Sequence, residues 1–147
     1  MKQLINDIEN IKNFILAGNA TFTIKSKVSG TYFTFKVKKP TKKTPYFVSL
    51  LNGPDNESNY QILGTIFVND NKVIYKHNDK KSRVGKDSPS NKAFKWFFNS
   101  ILNQKDITDR CEFYHEGTCA RCGRKLTTPE SVSEGIGPVC KKKLSIH

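Results

Sequence analysis

Acidic residues are scarce in this chain, which has 13 Asp and Glu against 25 Lys and Arg and therefore a formal net charge of +12. Such an excess of positive charge attracts polyanions and makes their binding salt-dependent. It also argues against a protein that imitates DNA, since such a mimic would be acidic. Nucleic acid is therefore the leading predicted partner, and an acidic protein surface is the alternative.

Other absences exclude whole classes of protein. No apolar run is long enough to span a bilayer, and residues 1–9 carry acids where a signal peptide needs a continuous apolar stretch. We therefore expect a cytoplasmic protein with no membrane partner. No Gly-rich phosphate loop, dinucleotide fingerprint or serine elbow occurs, so the chain is expected to bind rather than to catalyse.

Cysteine is absent from the first 110 residues, and all four cysteines lie from Cys111 to Cys140. This clustering favours a local metal module over a disulfide framework spread along the chain. Cys119 and Cys122 have the two-residue gap that lets two thiolates bind one ion, and Cys140 supplies a third ligand. The fourth is His115 or Cys111, and the spacing favours His115. Four protein ligands leave no position for a substrate, so we expect one structural Zn²⁺ per chain.

The rest of the C-terminal segment fits a small module of this kind. Thr127 or Thr128 is suited to cap a short helix that ends at Gly135, and Cys140 would lie in the first turn of a terminal helix. The arrangement is similar to a degenerate treble clef. The alternatives are a redox Cys-x-x-Cys and a set of buried free thiols; the redox pair is disfavoured because no strand-helix-strand unit is readable around the motif.

The segment from Glu112 to Lys142 combines His-Glu-Gly-x-Cys-x-x-Cys-Gly-Arg with Pro-Glu-Ser and Gly-Ile-Gly-Pro-x-Cys. This pattern resembles a bacteriophage and prophage zinc-module family that is catalogued as a domain of unknown function. The resemblance implies a phage protein, acting in the host cytoplasm, whose zinc ligands are His115, Cys119, Cys122 and Cys140. It selects the histidine over Cys111 and implies no activity.

Hydrophobic periodicity predicts an α+β fold with an antiparallel sheet of about five strands. Apolar residues at helical spacing from Leu4 to Ile15 predict an opening helix of about four turns that stops near Gly18. Ser90 is the expected cap of an aromatic-rich helix that ends at Leu102. Period-two alternation predicts strands at 21–27, 32–38, 46–51, 60–68 and 73–76.

The expected domain organisation follows from these elements. Residues 1–105 form an α+β domain with a basic sheet face, and residues 106–147 form a zinc module packed on it.

The basic residues are distributed unevenly, since seven lysines and no acid lie between Thr21 and Val48. Lys36 and Lys38 share a strand face with Tyr32, which makes a platform for phosphates and stacked bases. The alternative is a solvated face whose lysines discourage edge pairing. The predicted nucleic-acid-binding residues are Lys25, Lys27, Tyr32, Lys36, Lys38, Lys39, Lys42, Lys43, Lys81, Arg83, Arg121, Arg124 and Lys125.

The sequence is compatible with two other functions. The first is a protein-interaction module or an inhibitor of a host defence or replication factor, with contacts in the Tyr60, Phe113 and Tyr114 regions. The second is a metal-dependent nuclease, because Asp55 after a proline and Asp79 before two lysines imitate a two-carboxylate site. Turn formation explains both acids more simply. His77, which lacks a nucleophile partner, is expected at the surface.

Overall fold

The computed structural model describes residues 3–51, 60–70, 72–115, 118–121 and 135–136. Within these ranges, neither helix is long and apolar enough to cross a membrane. The elements, in chain order, are β1 (Gln3–Ile5), α1 (Ile8–Ile15), β2 (Asn19–Ser26), β3 (Tyr32–Lys38), β4 (Tyr46–Leu51), β5 (Tyr60–Asn69), β6 (Lys72–His77), α2 (Pro89–Leu102) and β7 (Cys111–His115).

The described strands form one sheet in the order β1-β7-β2-β3-β4-β5-β6, and every neighbouring pair is antiparallel. The fold is therefore mixed, mostly antiparallel sheet with two helices. The expectation of about five strands was wrong, because β1 and β7 add to the two hairpins and β4. The expected zinc module of residues 106–147 stays a prediction as a unit, but its first strand, β7, pairs on both sides within the sheet.

The opening helix is shorter than its apolar spacing predicts. Leu4 and Ile5 belong to β1, where they pair with Tyr114 and Phe113 of β7. Asp7 then caps α1, since its carboxylate accepts the amide hydrogens of residues 9 and 10 at 2.8 and 3.3 Å. The cap starts the helix at residue 8 and limits it to 8 residues instead of about four turns.

Both predicted hairpins are confirmed, and so is the single strand β4. In the first hairpin Phe22 pairs with Phe35, which places the predicted apolar face of β3 on the same side as Phe22, the one aromatic residue of β2. The β4–β5 pairing shifts register between Val48 and Ser49. Asp70, with φ +41, lies in the turn of the second hairpin, whose predicted residue Asn71 lies outside the described residues.

Helix α2 starts earlier than expected. Its cap is Ser88, whose hydroxyl oxygen accepts the Asn91 amide hydrogen at 3.3 Å, and Pro89 occupies the first turn. Ser90, the predicted cap, instead lies within the first turn and is buried. The shift follows from Pro89, because proline is well tolerated only at the first helical position.

Both helices cover the same face of the sheet. The Phe14 ring of α1 meets Phe22 and Phe113 with centroids 6.3 and 5.5 Å apart. The Phe94 ring of α2 lies 5.0 Å from the ring of Phe35 and 4.7 Å from that of Tyr75. This side, the helix face, contains the core, and the opposite side of the sheet carries the other half of each strand's residues.

Candidate metal centre and nucleic-acid interface

Two of the four predicted zinc ligands, His115 and Cys119, are described, and both are buried to 1% exposure. His115 is the last residue of β7 and lies on the helix face, with its ring 5.5 Å from that of Phe14. Cys122 and Cys140 lie outside the described residues, and within the described ranges no three His, Cys, Asp or Glu side chains gather to hold a metal. The expected ligand set therefore stays a prediction.

The local geometry around Cys119 suits a metal-bound thiolate. The Arg121 amide donates to the Cys119 sulfur at 3.4 Å, and a donor aimed at sulfur stabilises negative charge there. The intervening Ala120 is fixed at both polar atoms of its backbone: its carbonyl oxygen accepts from the Asn19 amide at 2.7 Å, and its amide donates to the Gly135 carbonyl at 2.9 Å. The turn is thus docked on the start of β2.

Residues 135–136 lie beside the Cys119 turn and the Phe14 ring, and we call this buried region the Phe14 corner. Gly135 has φ +75, and a Cβ there would overlap the Phe14 ring and lie 3.2 Å from Ile5 Cδ1. Ile136 beside it is 4% exposed. Phe14 therefore packs against both His115 and Gly135. This brings the chain just before Cys140 to the corner that holds the two described ligands.

Cys111, the alternative fourth ligand, lies at the other end of the sheet. Cys111 pairs with Ser26, whereas Asn19 bonds the turn that carries Cys119. The seven residue steps from Asn19 to Ser26 along β2 span about 23 Å. The Cys111 thiol donates to the Ile107 carbonyl at 3.6 Å. Burial raises the pKa of this thiol to about 11, which disfavours the thiolate that zinc requires. These observations favour His115.

The sheet face opposite the helices carries most of the predicted basic residues on the strands. Paired residues of neighbouring strands share a face, and one row of pairs runs from Asn19 through Lys38, Phe47 and Thr65 to Lys76. We call this side the lysine face. Its described strand positions include a single acid, Glu112, and five lysines, Lys25, Lys36, Lys38, Lys72 and Lys76.

Aromatic rings lie among these lysines. Tyr32 is 62% exposed and pairs with Lys25 across the first hairpin. The Lys36 ammonium lies 4.4 Å from the centroid of the Tyr60 ring, a cation–π contact. Between Lys25 and Lys36, the hydroxyl groups of Thr23 and Thr34 form a hydrogen bond of 2.7 Å, and both threonines are buried. The positive face that the sequence predicted is therefore interrupted by a neutral pair.

The predicted basic residues outside the strands fall mainly at one end of the sheet. Lys39 follows β3 and donates its amide hydrogen to the Gly18 carbonyl at 3.0 Å, next to the Asn19 that bonds the Cys119 turn. The loop with Lys42 and Lys43 and the turn with Arg121 therefore leave the sheet together, and all three side chains are exposed.

Lys81 and Arg83 are also exposed, on the loop that follows His77. Strand β6 runs away from the Lys38 end of the sheet, so this loop leaves β6 at its other end. Lys27 is exposed at the end of the sheet away from Lys38, where it follows β2, and Arg124 and Lys125 lie outside the described residues. Lys39 itself is half-buried, because its ammonium donates to the Thr44 carbonyl at 2.6 Å and lies 5.0 Å from the centroid of the Tyr46 ring.

Several residues differ from their sequence-based assignment. His77 is not at the surface, since its side chain is 6% exposed and its ring bonds Asp79 and the Val84 carbonyl, each at 2.8 Å. Phe113 is 2% exposed and is therefore no contact residue. Asp55 of the nuclease pattern lies outside the described residues.

Lys72 and Lys76 lie on the lysine face but were not among the predicted nucleic-acid-binding residues, and Tyr114, whose region was predicted to contact a protein partner, lies on this face as well. The signal for the two lysines was present, because they share a parity in the second hairpin. The signal for Tyr114 was not, because its strand had not been recognised.

Comparisons with known proteins give a limited result. A family model described as a family of unknown function (DUF6011) matches residues 109–145, about a quarter of the chain. The matched range contains β7 and the Cys119 turn. No curated protein and no solved structure matches.

Proposed function

We propose that this protein is a small non-enzymatic accessory protein that binds nucleic acid, single-stranded or structured, across its lysine face. The observation that carries the proposal is the composition of that face: five lysines against one acid on the described strands, with Tyr32, Phe47 and Tyr60 among them. Ammonium groups meet phosphates, and an exposed ring such as that of Tyr32 stacks bases without sequence preference, whereas Phe47 and Tyr60 are half-buried. The exposed basic loops at the Lys38 end lengthen the same positive surface.

A structural zinc ion completes the proposal. Its ligands would be His115, Cys119, Cys122 and Cys140, a closed tetrahedral set that stabilises a segment too short to bury a core of its own. The buried corner at Phe14 supports the first two ligands. Zinc would then fix the Cys119 turn and so present Arg121 beside the lysine face. The resemblance to phage zinc modules supports a phage origin, with the host cytoplasm as the site of action.

Binding to labelled single- and double-stranded oligonucleotides over a salt series tests this function. We expect affinity to fall steeply with salt, and Lys36→Glu/Lys38→Glu to reduce both affinity and the salt slope. The control is Lys95→Glu/Lys105→Glu, which makes the same charge change at two exposed positions, one on α2 and one shortly after it. No binding at low salt, or equal losses in both variants, would contradict the proposal. Adding Mg²⁺ to the same samples tests the nuclease hypothesis, which cleavage would favour.

A second candidate, a protein-interaction module directed at a host defence or replication factor, is favoured by one apolar patch. Phe67 and Ile74 pair with each other near the tip of the β5–β6 hairpin and are 42 and 51% exposed, whereas Val68, 50% exposed, points to the other face. Single exposed apolar residues are ordinary, whereas a contiguous group suits a partner. Cross-linking in host extract should give a product that Ile74→Asp abolishes; an unchanged product would remove this patch from consideration.

A further inference from the structure

A cavity of about 390 Å³ lies at the end of the β2–β3 hairpin, on the helix face. Its volume falls within the range of small-ligand sites, and its lining is mostly apolar. Its main lining residues are Ile24, Phe33, Ala93, Trp96, Arg110 and Cys111. None of them belongs to the proposed zinc set or to the lysine face.

The lining combines an aromatic wall with a mouth where two cations, Lys27 and Arg110, outnumber one exposed acid, Asp109. Trp96 is 42% exposed although it belongs to a helix whose other rings are buried. Arg110 is exposed and, within the described residues, forms no ion pair. Its carbonyl accepts the Lys27 amide at 2.9 Å, so a second exposed cation stands beside it. The thiol of Cys111 is neutral because burial raises its pKa to about 11, so the inner wall is uncharged.

The position of the cavity connects it with the lysine face. Tyr32 and Lys25 pair at the same end of the first hairpin, and Phe33 and Ile24, their neighbours in sequence, point to the other side and line the cavity. From Lys38 to Tyr32 the strand β3 covers about 20 Å. A nucleic-acid strand that follows β3 along the lysine face and then passes around the end of the hairpin would reach the cavity, whose lining includes the turn residues Val28, Ser29 and Thr31.

We propose that this cavity receives one unstacked base of a bound single strand, which stacks on Trp96 while Arg110 and Lys27 contact the adjacent phosphates. This inference rests on the proposed function and adds the subsite that distinguishes single from double strands, since a base in a duplex is not available for stacking. An apolar ligand without charge would gain nothing from the two cations at the mouth. The charge complementarity therefore selects a base attached to a phosphate backbone.

Trp96 is the chain's one tryptophan, so its fluorescence reports on the cavity directly. We would titrate the protein with a labelled oligothymidine and follow label anisotropy and tryptophan emission in the same samples. Quenching that saturates with the anisotropy is expected. An oligomer of abasic sites carries the same phosphate charge and should raise the anisotropy without quenching.

Variants separate the cavity from the lysine face. Trp96→Ala should weaken oligothymidine binding by about 5- to 150-fold, the range for loss of one base–aromatic stack, with an unchanged salt slope. Trp96→Phe should recover most of the affinity, and Val68→Ala, at another exposed apolar position that points away from the lysine face, should have no effect. Arg110→Ala should reduce the salt slope by about 0.7, one phosphate contact.

The results of these titrations test the base subsite separately from the proposed nucleic-acid binding. Anisotropy without tryptophan quenching, together with unchanged affinity of Trp96→Ala, overturns the base subsite and leaves the proposed function standing. Equal quenching by the abasic oligomer also overturns it. The absence of any anisotropy change at low salt overturns both claims.

Discussion

Gly135→Ala is the sharpest perturbation of the corner that holds the candidate metal centre. At φ +75 an L-residue costs about 1–2 kcal/mol. The added Cβ would also overlap the Phe14 ring, 2.7 Å from its Cε2 atom. Phe14 cannot turn away, because it is 1% exposed and packs on Phe22, Phe113 and His115. Overpacking adds about 1–3 kcal/mol. We therefore expect the substitution to lower the free energy of unfolding by about 2–5 kcal/mol in total.

Gly30→Ala is the matched control, because Gly30 has the same φ of +75 and no atom within 4 Å of its added Cβ. Only the backbone term of about 1–2 kcal/mol applies there. Urea unfolding followed by Trp96 fluorescence gives both free energies from the transition midpoint and slope. The Gly135 variant should also bind zinc more weakly, since its carbonyl accepts the Ala120 amide. An equal decrease in the free energy of unfolding in the two variants would refute the packing of residue 135 against the core.

Three further changes test separate parts of the structure. By metal analysis, Cys111→Ser should keep about one zinc per chain and Cys119→Ser should lose it; the reverse result would make Cys111 a ligand. Thr23→Val and Thr34→Val should each cost about 1–3 kcal/mol in urea unfolding, because each strands a buried hydroxyl, and the double variant should cost less than their sum. Tyr75→Phe should cost about 1 kcal/mol by the same assay. Because burial raises the Tyr75 pKa, wild-type stability should fall as pH rises above the ordinary value of 10.0, and this fall should be smaller in the variant.

The two hairpins and β4 could be predicted from local sequence, because alternation and turn residues act within a few neighbouring positions. The strands β1 and β7 could not. Gln3–Ile5 is three residues long and joins the helical spacing that continues through Ile8, so nothing local separates it from α1. Its strand state depends on pairing with residues more than a hundred positions away. Pairing with the distant strand β7 makes Gln3–Ile5 a strand, and the Asp7 cap determines where α1 starts.

For the candidate site, the sequence predicted the types of residue involved better than it predicted which residues lie close together. The histidine and cysteine spacing indicated the metal module, and the structure places His115 and Cys119 in one buried corner. The separation of Cys111 from that corner could not be read from the sequence, because it follows from the register of β7 against β2. The same applies to Lys76, which joins the lysine face through three successive strand pairings. The spacing of residues along the sequence indicates which of them are suited to a site, and the register of the paired strands determines which of them lie close together.

The central claim is nucleic-acid binding by the lysine face, and the slope of affinity against salt tests it most directly. With about four phosphate contacts, the logarithm of the association constant should fall with the logarithm of salt concentration with a slope of about −3 on a single strand. Lys36→Glu/Lys38→Glu should reduce the steepness of this slope by at least about 1.4, whereas Lys95→Glu/Lys105→Glu should leave it nearly unchanged. A slope near zero, or the same slope in both double variants, would contradict the account.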